Sequence, residues 1–374
     1  MPPPRRAVPL LNLQALHAPL RREILAELER VFDSQAFVLG EDVRLFEHEI
    51  AAYCQAPHAV GCASGTDALI LSLVAAGVGP GDRVITTPFS FFATASAIHH
   101  VGAVPVFADI DPVTYNLDPQ ALTAVARRTP GVKAVIPVHL FGGCADIKPI
   151  LALAAESGWR VIEDGAQAIG AAYRGLPALT LGDFGCLSFF PSKNLGGLGD
   201  GGMIIVRRPE DAQRLRSLRV HGSTVKYFHE TVGYNSRLDT LQAAALRVKL
   251  RHLDRETEGR QSNAALYRTL LSRLPLRLPS PAGYQTRHIY NQFTIASPRR
   301  DELKAHLAER GVGSEIYYPL PLHLQQCFRH LGYSAGDFPH SEQAAAEVLS
   351  LPIHSALEAG DLEWVADSIR AFFE

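Results

Sequence analysis

The chain has 374 residues, 47% of them hydrophobic and 20% charged, which suffices for two domains and excludes both a small binding module and a disordered chain. Its 36 lysines and arginines stand against 38 acids, a formal charge of -2, so it lacks the broad basic field that draws a protein to nucleic acid. The five cysteines, Cys54, Cys62, Cys144, Cys186 and Cys327, are scattered without a CxxC pair, which argues against a disulfide scaffold and against a cysteine-rich metal module.

The start MPPPRRAVPLLNLQ has no continuous apolar stretch ending in a cleavage site, and nothing later approaches a run long enough to span a bilayer. A cytoplasmic protein is expected. Apolar residues recur at helical spacing over 20–32 and 42–54, with Gly40 between them. From residue 58 short apolar runs alternate with helical stretches. HAVGCAS leads into TDALILSLVAA, RVITTP into FFATASAIHH, PVFADI into DPQALTAVARR and VKAVIPV into DIKPILALAAES; WRVIED, GCLSFF and GGMIIV are further strands. This alternation predicts an α/β fold, a mostly parallel sheet with both faces covered by helices.

Residues 208–220 read as a helix, and GSTVKYFHETVGYNSR, polar, aromatic and punctuated by glycine, reads as an exposed loop. An amphipathic stretch over 239–271 leads out of the first domain. Beyond it a smaller α/β unit is expected, holding IYNQFTIA, a helix over 300–310, SEIYY, a helix over 341–349 and a last helix over 361–372. The predicted division is 1–255 for the large domain and 256–374 for the small one.

Three polar elements fall where predicted strands end. Ser64, Gly65 and Thr66 follow HAVGCA and open a helix, so backbone N–H groups and hydroxyls can hold a phosphate, although the same residues suit a plain helix cap. Asp164 ends WRVIED and is trailed by Gly165, Ala166 and Gln167. A carboxylate at a strand's carboxyl end can pair with a protonated heterocyclic nitrogen, with Gln167 beside the ring. Lys193 lies in SFFPSKNLGGLGDGG, where an aromatic strand and a proline turn run into glycines that permit tight paths around a ligand. Such a lysine can form a Schiff base with an aldehyde and shuttle a proton. The glycine run fits neither a P-loop nor a dinucleotide fingerprint. Phe91 and Phe92 follow TTPFS, and at most one of these adjacent rings can face a planar cofactor.

SGTDAL, PFSFFATASA, EDGAQA, SFFPSKNLGGLGDGG and GYNSRLDTLQAA together resemble the pyridoxal-phosphate-dependent DegT/DnrJ/EryC1/StrS sugar aminotransferases, a resemblance running from about residue 9 to the C-terminus. It implies the aspartate-aminotransferase-like architecture called fold type I, pyridoxal 5′-phosphate cycling through pyridoxamine 5′-phosphate, and a homodimer with shared active sites. It makes Lys193 the Schiff-base lysine, pairs Asp164 with the pyridinium nitrogen, sets Gln167 near the phenolic oxygen and lays Phe91 over the ring. Gly65, Thr66 and Ser188 would hold the phosphate, with Asn235 reaching in from the neighbouring subunit as loop 221–237 crosses its cleft. Relatives that dehydrate sugars replace the lysine with histidine; this chain keeps Lys193, which implies transamination.

The implied reaction moves an amino group from L-glutamate to a nucleotide-linked keto sugar, a step of amino-sugar and polysaccharide biosynthesis. YYPLPLHLQ, residues 317–325, resembles relatives acting on 3-keto sugars such as UDP-2-acetamido-3-oxo-glucuronate or a dTDP-3-keto-6-deoxyhexose. PVFADIDPVTYNLDP resembles the former group, and the 3-position is favoured over the 4-position. His221, Arg237, Tyr318 and His323 are candidate substrate contacts. A keto-cyclitol aminotransferase is the nearest enzymatic alternative, and a noncatalytic cofactor-binding regulatory scaffold is the alternative of a different kind.

Overall fold

A computed structural model describes residues 7–374. Helices α1 (Leu13–His17), α2 (Arg21–Ser34) and α3 (Glu41–Tyr53) precede the sheet. Strands and helices then alternate: β1 (His58–Cys62), α4 (Gly65–Ala75), β2 (Arg83–Thr86), α5 (Ala93–His100), β3 (Val104–Phe107), α6 (Pro119–Arg128), β4 (Val132–Ile136), α7 (Ile147–Ser157) and β5 (Arg160–Asp164). Two short strands, β6 (Ala172–Tyr173) and β7 (Leu176–Pro177), separate these from β8 (Phe184–Ser188) and β9 (Gly202–Val206). The large sheet has the order β1-β9-β8-β5-β4-β2-β3, and only β9 runs against its neighbours.

The apolar runs are nearly continuous because both faces of these strands are buried. Along β9, Met203 and Ile205 join Leu187, Phe46 and Ile50 on one face, while Ile204 and Val206 join Phe184, Cys186, Leu69 and Leu71 on the other. That is the period of two that a strand imposes on its side chains. Each fully buried side chain of this kind contributes about 1.5–3 kcal/mol through the hydrophobic effect. Because each helical crossover returns the chain to the same starting side, the parallel strands all finish at one edge of the sheet.

After β9 come α8 (Pro209–Leu218), the hairpin β10 (Ser223–Val225) and β11 (Phe228–His229), α9 (Thr240–Leu250) and α10 (Leu253–Leu270). The amphipathic stretch expected over 239–271 is therefore two helices, broken at Arg251 and His252. The periodicity continues across the break and no glycine or proline marks it, yet the halves have different partners: α9 packs on α2 and α3, and α10 on the C-terminal helix α13 (Ala359–Phe373).

The remaining elements are β12 (Gln285–Arg287), β13 (Phe293–Ala296), α11 (Arg300–Glu309), α12 (Pro339–Glu347) and β14 (Val348–Leu351). β13 and β14 pair antiparallel. A separate core gathers Tyr267, Phe293, Ile295, Leu303, Leu349, Leu362 and Ile369, joined by Val8, which bridges to Val312. The division predicted at 255/256 falls inside α10. SEIYY forms no strand; Glu315 alone bridges to Ser350. No described helix is long and apolar enough to cross a membrane.

Candidate active site

The loops leaving the carboxyl edge of the large sheet enclose a cleft of about 470 Å³. After β1, Ser64 caps α4, its Oγ accepting from the Asp67 N–H at 3.1 Å, and Gly65 and Thr66 line the cleft as the first helical turn. The free N–H groups and positive end of that helix suit an anion. Packing demands the glycine: a Cβ on Gly65 would lie 2.6 Å from the Cβ of Ser188, which ends β8 on the same wall.

Asp164 ends β5. Its N–H donates to the Pro137 carbonyl and its own carbonyl accepts from the His139 N–H, both at 2.9 Å. The carboxylate is 5% exposed and accepts from Thr94 Oγ1 at 2.7 Å and from the Ala166 N–H at 3.2 Å. Ser90 Oγ lies 2.9 Å from Thr94 Oγ1; with the Thr94 proton given to Asp164, Ser90 is the donor in that pair. Burial pushes the Asp164 pKa above the usual carboxylate range, against the pull of Thr94, Ala166, Lys193 and His139.

The neighbouring Glu163 locks the strand end from behind. His139 Nδ1 accepts from the Ala145 N–H at 3.1 Å, so its Nε2 carries the proton donated to Glu163 at 2.8 Å. Glu163 also accepts from the N–H groups of Leu179, Leu181 and Gly182. Four donors on one buried carboxylate repay its desolvation.

Lys193 follows β8 through a tight turn in which its N–H donates to the Phe190 carbonyl at 2.9 Å. Burial lowers its pKa to about 8, with Asp164 opposing the shift. The next residue is pinned from the small domain: Asn194 Nδ2 donates to the Ile289 carbonyl at 3.2 Å, and its Oδ1 accepts from Asn291 Nδ2 at 2.7 Å. Lys249 Nζ donates to the carbonyl of Gly196 in the same loop. Gln167 is held on both sides, its Oε1 accepting from the Phe141 N–H at 2.7 Å and its Nε2 donating to the Tyr318 hydroxyl at 3.1 Å. Phe91 lines the cleft 6.0 Å from the Tyr318 ring, whereas Phe92 turns away to stack 5.6 Å from Phe328.

Gly65, Thr66, Phe91, Asp164, Gln167, Ser188, Lys193 and Tyr318 therefore meet around one cleft. His221, Asn235 and Arg237 do not line the cleft of their own chain; His221 and Asn235 are exposed and Arg237 half-buried. Between the last two, Ser236 donates to Asp67 Oδ2 at 2.6 Å and accepts from the Ala63 N–H at 3.3 Å, mooring the motif behind the Ser64 turn. His323 lies elsewhere. It is 1% exposed, 4.7 Å from the Phe338 ring, with Nε2 against Glu342 at 3.1 Å. The short turns of 322–331 fold this histidine under an aromatic cluster of Phe107, Phe328 and Phe338, so the expected substrate contact at His323 is withdrawn.

Sequence reasoning missed Thr94, Ser90, Ser192 and Gln292. The hydroxyl in the first turn of the helix after TTPFS was the available signal for Thr94, since that turn faces the strand ends. Gln292 had none, being brought to the cleft from the small domain.

Residues 19–370 match the model of the DegT/DnrJ/EryC1/StrS aminotransferase family. The chain is 50% identical over 369 residues to a pleiotropic regulatory protein of Geobacillus stearothermophilus, covering 98% of each. It is 47% identical over 365 residues to a UDP-N-acetyl-3-dehydro-alpha-D-glucosamine 3-aminotransferase of Acidithiobacillus ferrooxidans, covering 97% of each. Among solved structures, S. venezuelae DesV superposes with a TM-score of 0.95 at 42% identity, over 98% of this chain and 99% of DesV. NtdA of Bacillus subtilis with bound cofactor PMP superposes with a TM-score of 0.91 at 30% identity, over 98% of this chain and 85% of NtdA.

Proposed function

The chain belongs to the DegT/DnrJ/EryC1/StrS aminotransferase family and has its fold type I architecture; from that premise we propose that it moves an amino group from L-glutamate to a nucleotide-linked 3-keto sugar, using pyridoxal 5′-phosphate. The observation that carries this reading is the meeting of Lys193 and Asp164 in one cleft, beside the first turn of α4. The 3-dehydro sugar in the name of the Acidithiobacillus ferrooxidans relative supports the ketone position.

The residues present fit the cofactor. Asp164 is a buried carboxylate with no salt bridge among the described residues, and a protonated ring nitrogen is the partner it lacks. Gly65, Thr66 and Ser188 offer N–H groups, hydroxyls and a helix terminus to a phosphate. Lys193, with its pKa lowered to about 8, offers an amine closer to its neutral, nucleophilic form than an exposed lysine does. When bound, pyridoxal phosphate supplies the electron sink that accepts the pair left behind as a proton leaves the donor's α-carbon.

The protein's own groups then have separable tasks. Asp164, oriented by Thr94 and the Ala166 N–H, keeps the ring nitrogen protonated. Lys193 Nζ carries the proton away from the donor carbon and returns one to the sugar carbon in the second half of the cycle. Phe91 and Gln167, which line the cleft, would hold the cofactor ring, and Tyr318 would contact the sugar. The exposed hairpin supports a homodimer in which loop 221–237 brings Asn235 to the partner's phosphate site and His221 and Arg237 to its sugar.

The test uses pyridoxamine-phosphate-loaded protein with UDP- and dTDP-linked 3-keto and 4-keto sugars, read by recovery of the cofactor's visible absorption and by product mass. Conversion of a 3-keto sugar alone is expected; conversion of a 4-keto sugar alone moves the ketone, and conversion of a keto-cyclitol alone replaces the sugar class. The name of the Geobacillus relative favours a regulatory scaffold as the second reading, and cofactor binding without either half-reaction would select it.

A further inference from the structure

A second cavity, of about 50 Å³, adjoins the cleft through Ser192, Gln292 and Tyr317, which line both. Its inner wall carries Arg260 of α10 and His354, which follows β14, together with Asn291. Arg260 is 4% exposed and His354 2%. Arg260 Nη1 donates to the carbonyls of Tyr290 at 3.1 Å and Asn291 at 3.4 Å. Those neutral oxygens solvate the guanidinium without cancelling its charge. Neither ring nitrogen of His354 makes a well-formed hydrogen bond, the Pro9 backbone offering it only a weak one, and the side-chain oxygens of Gln292 and Asn291 lack a partner.

The charge around this cavity is unbalanced. Lys249 and Arg260 are both buried, and one carboxylate, Glu256, is the acid whose field acts on each of them. Burial lowers Arg260 to about 10, so it remains a cation at neutral pH. Burial and the Arg260 charge together push His354 down to about 4, leaving a neutral imidazole with one N–H to donate. A buried cation that shares one carboxylate with Lys249, beside an imidazole without a well-formed hydrogen bond, is costly unless a ligand answers them. A carboxylate answers both, accepting a charge-assisted bond from the guanidinium and a bond from the imidazole.

Size and position select the ligand. Among the residues lining the main cleft, Lys193 is the sole cation, and it is occupied with the chemistry. The side cavity admits a carboxylate but not a nucleoside diphosphate. We propose that this side cavity is the subsite for a carboxylate of the amino donor, with Arg260 and His354 as its binding residues and Gln292 at its entrance. The inference rests on the reading of Lys193 as the centre of amine transfer. It gives one cleft two directions, inward for the donor and outward for the keto sugar.

The two half-reactions separate the possibilities. In His354→Leu, which leaves the Arg260 anchors in place, the L-glutamate concentration for half-maximal conversion of pyridoxal-phosphate-loaded protein should rise tenfold or more. The keto-sugar concentration for the reverse conversion of pyridoxamine-phosphate-loaded protein should change less than twofold. Arg260→Gln should weaken glutamate further, provided circular dichroism shows it folded. Glutarate, a dicarboxylate that cannot react, provides a readout independent of turnover: calorimetry on the loaded protein should show its affinity falling tenfold or more in His354→Leu. Unchanged glutarate affinity, or equal losses in both half-reactions, overturns the subsite. Failure of wild-type protein to convert any amino acid, with glutarate binding still sensitive to His354→Leu, would instead count against the transfer reading and leave the subsite standing.

Discussion

At the carboxyl edge of the sheet the polar groups are answered within one chain, whereas the hairpin β10–β11 leaves its apolar groups unanswered. Asp164 has Thr94 and Ala166, Glu163 has four donors, and the Lys193 loop is tied down at Asn194 and Gly196. In and beside the hairpin, Val225, Tyr227, Phe228 and Val232 are 61%, 81%, 71% and 91% exposed. Contiguous apolar exposure of that kind marks a surface that another molecule covers. The contrast sets Lys193 and Asp164, positioned within one chain, against a hairpin face that the proposed homodimer would cover, so the two are separable by mutation.

The largest effect should come from the first region. Lys193→Ala is expected to abolish turnover and the visible absorption of lysine-bound cofactor; retention of both would break the monomer half of the contrast. Asp164→Asn should keep the cofactor bound but lower kcat roughly 10²–10³-fold, the scale of losing one preorganised electrostatic contact in a reacting site. The second region is challenged by Phe228→Asp combined with Val232→Asp. Sedimentation should then report a monomer, turnover should fall at least tenfold, and reconstitution with pyridoxal phosphate should survive; an unshifted mass would contradict the role given to the hairpin.

Smaller effects sharpen the same contrast. Because burial lowers Lys193 from 10.5 to about 8, the neutral amine becomes available at lower pH than in an exposed lysine. The rate at which apoprotein captures pyridoxal phosphate should climb with pH and level off above about 8. A rate still climbing towards 10.5 would show an open amine. Least of all, His323→Gln should cost about 1–2 kcal/mol of stability through its lost buried contacts while the KM for sugar moves less than twofold, checked by thermal melting and initial rates.

The legible parts of the molecule are those in which local pattern and tertiary position coincide. Asp164 and Lys193 stand just after apolar runs, and a parallel sheet necessarily carries such residues to one edge. Phe91 and Phe92 could be divided, one facing the cleft and the other turned towards Phe328, because neighbours point apart. Arg260, Gln292 and His354 were silent, since residues far apart in the chain converge only when α10 and the small domain pack against the Lys193 loop. The break at Arg251 was equally silent, because the apolar rhythm runs through it. His323 misled for the opposite reason: between prolines and glutamines it reads as a loop residue, yet the surrounding phenylalanines bury it.

Amine transfer centred on Lys193 is tested most directly by following nitrogen itself. Wild-type protein and Lys193→Ala, each supplied with pyridoxal phosphate, nitrogen-15-labelled L-glutamate and a UDP-linked 3-keto sugar, would be compared by product mass. The expected result is a labelled amino sugar from the wild type and none from the variant. Equal labelling by both proteins, or unconverted sugar in the wild-type reaction despite release of 2-oxoglutarate, would contradict it.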